Sequence, residues 1–414
     1  MLLPVLLIFL AALAGALMAY GTHPAWAGFS HGLGVILFTR RFEWPLAAIA
    51  MILCIVLIGL VVAGKRRAWW LIGLGPILAL FVHRYQTDPL RRLAILENPQ
   101  FVPAEQAKFL DGADYVVGLT FEGNAYTYPY HALYAAPVVI QADHDKRMIL
   151  IWSALANRAV ASHINHDLRA VNLEIVSTPD CAVLLYNTQV GQFINGVTGL
   201  TNQSKKPMGF LSPIYPQKMA WRDWLAAHPA AMVMAPPPGA RADKIPNAPL
   251  LPMMPRPAKN LTPPPQTPVT MICTTQPVLI RTDSLPSGLT NLAAPAPLLL
   301  FRDSATHQVH AFDRRVEDLT LKFRINTDAR RKQAVLIDQE TNSGWTIDGR
   351  AVDGPMGKDG KRLIRVPVDD GLWWGVMKRW MPQLQLVDVP PPPPERQSTR
   401  PPAGPRPPRR TPRR

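Results

Sequence analysis

Few side chains in this sequence are placed to do chemistry, and they are scattered. His163 and His166 stand three apart with Asp167 beside them, which puts both imidazoles on one side of a helical turn and could form part of a metal site. The same triplet suits an exposed polar turn between strands. Asp338 and Glu340 stand two apart, so on a strand they share a face, as a general acid and base must. The run Asp338-x-Glu340-Thr341 is also the pattern of a turn whose Asp and Thr cap backbone amides, and that structural role is the favoured one. His131, after Tyr128-Pro129-Tyr130, is a further catalytic candidate, with a structural histidine as the favoured reading. His307 and His310 are oddly spaced in a strand-like stretch and would point to opposite faces, which argues against joint ligation. Trp221, Trp224, Trp373, Trp374 and Trp380 could stack a ligand, although packing a helix onto a sheet is the commoner use.

Of the three cysteines, Cys54 lies in an apolar run, while Cys181 and Cys273 could form a disulfide if their part of the chain is exported. No Cys-x-x-Cys, zinc spacing, Ser-His-Asp order, Walker loop or dinucleotide fingerprint occurs, so no cofactor is expected.

The elements that must position these residues divide sharply. Met1–Tyr20 and Leu46–Gly64 are uninterrupted apolar stretches long enough to cross a bilayer. Ala68–Val82 is a shorter third, opened by Trp69 and Trp70 as an interfacial belt would be. Residues 1–85 are therefore expected to hold about three transmembrane helices of an integral protein of the inner (cytoplasmic) membrane, with the lipid bilayer as a partner. Ala25–Phe38 could add a fourth span or a re-entrant piece, and a signal peptide cleaved after Ala25-Trp26-Ala27 is an alternative, though it lacks a basic start. Lys65-Arg66-Arg67 favours a cytoplasmic loop, whereas Arg40 and Arg41 flank the opposite end of the same helix. The expectation is an extracytoplasmic soluble domain.

The remainder reads as a β-rich, α+β soluble domain made of two related units. Residues 90–235 show strand-and-turn patterning, as in Tyr115–Phe121, Glu122-Gly123-Asn124 and the returning Ala125–Tyr128. Residues 236–270 are crowded with proline and form a linker. Strand patterning resumes over 271–389. An internal repeat joins the units: Met148–Ile151 with Leu298–Phe301, Ala182–Leu185 with Ala334–Ile337, and Trp221 with Trp374. Residues 390–414 interleave proline with seven arginines against Glu395, a disordered tail suited to an anionic envelope component or an acidic partner. Part of the net charge of +15 sits there, without any nucleic-acid-reading motif, which argues against nucleic acid.

Leu96–Val102, Val116-Val117-Gly118-Leu119, Ala125-Tyr126-x-Tyr128-Pro129, Trp221-x-x-Trp224-x-x-x-His228-Pro229, Phe312–Val316 and Asp338-x-Glu340-Thr341-x-Ser343-x-Trp345 together resemble the bacterial domain of unknown function 3179 family. That resemblance implies a Thr-Tyr-Cys-Pro-Leu-Cys motif with redox or metal chemistry, in some members with selenocysteine. Here the matching stretch is Ile151-Trp152-Ser153-Ala154-Leu155-Ala156, without sulfur, and a preceding His-Glu pair is replaced near Ala135 and Ala136. The sequence therefore points away from the family's sulfur chemistry and toward binding or scaffolding at the cell envelope. An enzyme using His131, Asp338, Glu340 or a metal is the alternative.

Overall fold

The computed structural model describes residues 2–29, 31–64, 67–87, 93–237, 249–250, 261–304, 308–387 and 389. Most of the proline linker, His307 and the tail from 390 onward lie outside the described residues.

Among the described residues, three helices are long and apolar enough to cross a membrane: α1 (Leu2–Tyr20), α3 (Glu43–Val62) and the segment Ala68–Gln86. The last begins as a 3-10 turn at Ala68–Gly73 and continues as α4 (Leu74–Thr87). Small residues let them approach closely. Ala14 and Met18 of α1 pack on Leu46 and Ala50 of α3, with Phe81 of α4 against them. Phe9, Ile55, Val62 and Leu78 point outward, as lipid-facing side chains should. The run proposed as a fourth span instead forms a 3-10 turn, Pro24–Gly28, and a short helix, α2 (Gly32–Arg41). Ten residues rise only about 15 Å, half the hydrocarbon thickness. Ile36 of α2 is fully buried against Val176, Leu184 and Phe193, so this helix docks on the soluble domain.

The soluble domain is built in two halves that repeat one order of strands. In the first, Val138–Asp143, Lys146–Ser153 and Arg158–Ile164 run side by side, flanked by Ile95–Glu97 and Phe210–Ile214. Residues alternate along the central strand: Met148, Leu150 and Trp152 face one core, Ile149 and Ile151 another. The first core lies against a second sheet, ordered Gln217–Ala220, Tyr115–Phe121, Asn124–Pro129, Met232–Met234, Phe101–Pro103. The other face is covered by the three strands Leu173–Ser177, Leu184–Asn187 and Gln192–Asn195.

In the second half the corresponding sheets are Gly288–Leu292, Leu298–Arg302, Val309–Asp313 and Arg365–Val366; then Val368–Trp373, Pro268–Ile272, Val278–Arg281 and Leu386–Val387; then Phe323–Ile325, Leu336–Asp338 and Gly344–Trp345. Leu298 and Leu300 face one core and Leu299 the other, the same alternation. In each half a seven-residue helix, Trp221–Ala227 or Trp374–Trp380, follows the edge strand of the second sheet. The strand after each helix joins that sheet in parallel.

The halves meet along an apolar seam in which Ala156, Cys181, Ala182 and Val197 pack on Val269, Met271, Leu372 and Trp374. At one end of this seam the two edge strands, Gln217–Ala220 and Val368–Trp373, approach each other.

Candidate functional site

Where those edge strands meet, charge is buried. Lys218 projects from the first half with its side chain 2% exposed, and its Nζ lies 2.7 Å from Oδ1 of Asp369 on the second half. Arg158, at the start of its strand, forms an ion pair with the other oxygen of the same carboxylate. Lys218 also donates to the backbone oxygen of Asn157. Asn157 is held in turn from both halves. It sits in the left-handed region at φ 47°, accepts from the Tyr130 hydroxyl at 2.7 Å, and donates to the carbonyl of Gly371 at 2.8 Å. Gly371, at φ +68°, allows this approach, because a Cβ there would lie 3.0 Å from the Asn157 amide. Beside it, Asp370 accepts from Thr270 at 2.5 Å and from the Gly371 amide at 2.8 Å.

These groups line two adjoining cavities. One, of about 350 Å³, is bordered by Arg158, Lys206, Tyr215, Cys273 and Asp369. The other, of about 240 Å³, is bordered by Tyr215, Lys218, His310, Arg365 and Asp370. Tyr215 and Val368 are common to both, so the cavities form one cleft along the joint.

Burial sets the electrostatics. It pushes the Lys218 amine well below the ordinary lysine value, and the neighbouring Arg158 charge acts in the same direction while Asp370 opposes it. The Arg158 guanidinium is lowered for the same reason, loss of solvent. Burial raises the Cys273 thiol, with Arg158 and Lys218 pulling it back down. The Tyr215 phenol is raised, chiefly by burial. His310 is lowered by burial and by Arg365. A lysine, a thiol and a phenol are thus displaced from their ordinary ranges within one cleft, which makes it the candidate site.

The residues singled out from the sequence lie elsewhere, Cys273 and His310 excepted. Asp338 is fully buried and its carboxylate is occupied. It accepts from the Thr341 amide and hydroxyl, from the Ser343 amide at 3.1 Å and from Nε1 of Trp345 at 2.8 Å. Glu340 accepts from the Lys322 amide at 2.7 Å and does not join Asp338 as an acid–base pair. His131 is buried in the short helix Tyr130–Ala135, edge-on to Phe109. His163 lies on a strand opposite Met148 with its ring on Phe121 and 3.9 Å from Glu122, while His166 lies beyond that strand, its carbonyl accepting from Arg147. Among the described residues, no group of three His, Cys, Asp or Glu side chains is placed to hold a metal ion. Cys181 and Cys273 border the same apolar seam but are not joined in a disulfide. The tryptophans mostly pack: Trp224 lies on Gly118, where a Cβ would come within 2.4 Å of the ring. Trp380 donates to the carbonyl of Asp180 at 3.0 Å.

Sequence reasoning missed Arg158, Lys218 and Asp369. The available signal was a charged side chain, Lys218 or Asp369, just before each Trp-led helix, on the corresponding strands Gln217–Ala220 and Val368–Trp373.

A family model described as "Protein of unknown function (DUF3179)" matches residues 94–384, which spans both halves and the segment between them. The chain belongs to that family. No curated protein and no solved structure matches it. In this DUF3179 member the stretch Ile151–Ala156 leads directly into the cleft. Ser153 is buried at the end of its strand and accepts from the Val183 amide at 3.0 Å. Ala154–Ala156 make a 3-10 turn, and Asn157 and Arg158 follow.

Proposed function

We propose that this protein is a membrane-anchored binding protein that holds a small anionic ligand in the cleft between two duplicated halves of an extracytoplasmic domain. The observation that carries the reading is the charge of the cleft. Arg158, Lys218, Lys206 and Arg365 line it against Asp369 and Asp370, and Lys206 and Arg365 are exposed at its rim. Its volume suits a carboxylate or phosphate of a few heavy atoms. The test is thermal denaturation of the detergent-solubilised full chain across a panel of small carboxylates and phosphates. A ligand at 100 times its Kd stabilises by about 2.7 kcal/mol. The expected result is a stabilised transition that Arg365→Glu and Lys206→Glu abolish. A panel without effect, or one whose effect the variants keep, overturns the reading.

A second reading is thiol chemistry at Cys273, which borders the same cleft as Arg158 and Asp369. Peptide-resolved alkylation tests it, because a thiol used as a nucleophile must react within minutes in the folded protein. Inertness of Cys273 toward iodoacetamide well above pH 9, where its raised thiol ionises, would remove this reading.

The orientation is supported by three spans together with α2. Both α2 and the soluble domain then lie on one side, and Lys65-Arg66-Arg67 lies on the other, where a cation-rich loop belongs in the cytoplasm. Reporter fusions after Arg67 and after Val389 should be active on opposite sides; a cytoplasmic signal from the second overturns the exported domain. The tail, residues 390–414, would add a contact to an anionic envelope surface. Its deletion without change in localisation or partners would remove that role.

A further inference from the structure

A second polar cavity lies at the junction of membrane and domain. It measures about 490 Å³ and is lined by Arg40, Arg41, Trp44, Glu174, Tyr186 and Thr188 together with Leu37 and Glu43. Its floor is the end of α2 and the start of α3, one of the helices long and apolar enough to cross a membrane. Its wall is the docked three-strand sheet of the first half. Trp44 is 85% exposed at this point, the position of an interfacial anchor.

The two arginines are used differently. Arg40 is committed to the protein, 2.8 Å from Glu43 and 3.2 Å from Glu174. Arg41 is exposed and makes no hydrogen bond or ion pair among the described residues. Glu174 keeps part of its side chain, 36%, open to the cavity mouth. The pocket thus presents a free cation and a partly open carboxylate together. From its mouth an exposed stripe, Trp44, Ala48, Met51, Ile55, Ile58 and Val62, runs along one face of α3 into the bilayer at helical spacing.

We propose that this pocket holds the headgroup of an ethanolamine phospholipid, with its phosphodiester on Arg41, its ammonium on Glu174 and its acyl chain along the α3 stripe. A phosphate with a guanidinium makes a charge-assisted, bidentate pair. A primary ammonium donates to a carboxylate, which the quaternary ammonium of choline cannot do. A glycerol headgroup brings no positive charge to Glu174. The pocket should therefore rank ethanolamine above both. The inference holds on whichever face of the bilayer the domain lies, and it is independent of the ligand in the cleft.

The test is native mass spectrometry of the full chain after equilibration with vesicles of equimolar phosphatidylethanolamine, phosphatidylcholine and phosphatidylglycerol. Ethanolamine lipid should be retained about tenfold over choline lipid, the scale of one hydrogen bond to a charged group. Arg41→Gln should reduce its retention about tenfold by the same measure, with Arg41→Lys restoring part of it. Because Arg41 is exposed and unpaired, these variants leave the fold intact, which a thermal transition equal to wild type will verify. Equal retention of the three lipids, or unchanged retention in Arg41→Gln, overturns the proposal. Displacement of the lipid by soluble glycerophosphoethanolamine at equal concentration would show that the acyl chain is not part of the site and would also overturn it.

Discussion

Asp369 carries the joint, because one carboxylate neutralises two buried cations. Its removal strands both Arg158 and Lys218, and breaking a buried ion pair from one side costs roughly 3–5 kcal/mol. Asp369→Ala should lower the thermal transition far more than Lys218→Met, which leaves the Arg158–Asp369 pair in place. Lys218 also makes stability depend on pH. Its amine titrates well below the ordinary 10.5 in the folded chain and near that value when unfolded. Between those two values the unfolded chain binds the extra proton, so stability rises with pH across the window, by at most about 1.4 kcal/mol per unit. Below the folded value the full cost of burying the charge is present. Lys218→Met should flatten that slope in denaturation curves measured from pH 6 to 10. Cys273 gives a companion measurement. Its thiolate should appear only above the ordinary 9.0, and Arg158→Gln, which removes a cation that lowers it, should shift the alkylation profile higher still. Asp338, by contrast, is a hub of the backbone. Asp338→Ala would orphan the Trp345 indole and two amides, a loss of roughly 3 kcal/mol that unfolding curves would register.

Among the elements, the strand Tyr115–Phe121 and the helix Trp221–Ala227 depend on one another through Gly118. A Cβ there would meet the Trp224 ring at 2.4 Å, and neither the strand backbone nor a buried indole can yield. Gly118→Ala should destabilise the protein by about 1–3 kcal/mol, and a cycle with Trp224→Phe should recover part of the loss. Most elements could be read from the sequence. The membrane helices declared themselves by length and lack of charge. The stretches paired as repeats fall on corresponding strands: Met148–Ile151 and Leu298–Phe301 both lie on inner strands of their sheets, and Trp221 and Trp374 both open a helix. The run Ala25–Phe38 misled because apolarity alone does not separate a span from a helix that buries one face on a domain. Ile36 is covered by Val176 and Phe193, contacts far away in sequence that no local pattern announces. The cleft was illegible for the same reason. Arg158, Lys218 and Asp369 lie on three strands from two halves, and only the docking of the halves brings them together.

At the scale of the whole molecule, spans and domain are joined by side chains as well as by the chain itself. Arg84 of α4 reaches Glu43 of α3 at 3.0 Å, Arg40 of α2 bridges Glu43 to Glu174, and the Ser177 hydroxyl donates to the carbonyl of Thr22 at 2.8 Å. Asp180 and Cys181, both at positive φ, carry this contact across to the second half, where Arg379 lies 2.7 Å from the Asp180 carboxylate. Residues 21–42 should therefore be protected from protease in the intact protein and become cleavable in Ile36→Asp, which forces a charge into the α2 contact. Unchanged cleavage would show that α2 does not hold the domain.

Asp369 faces Lys218 across edge strands that occupy the same place in each half, and the two strands have taken opposite signs. Separation of the halves would leave the charge at this edge unmatched. Each is also a poor fragment alone, left with either two cations or a carboxylate lacking its counter-ion. The halves are therefore coupled through one carboxylate, and a charge reversal at Asp369 would have to be answered at both Lys218 and Arg158.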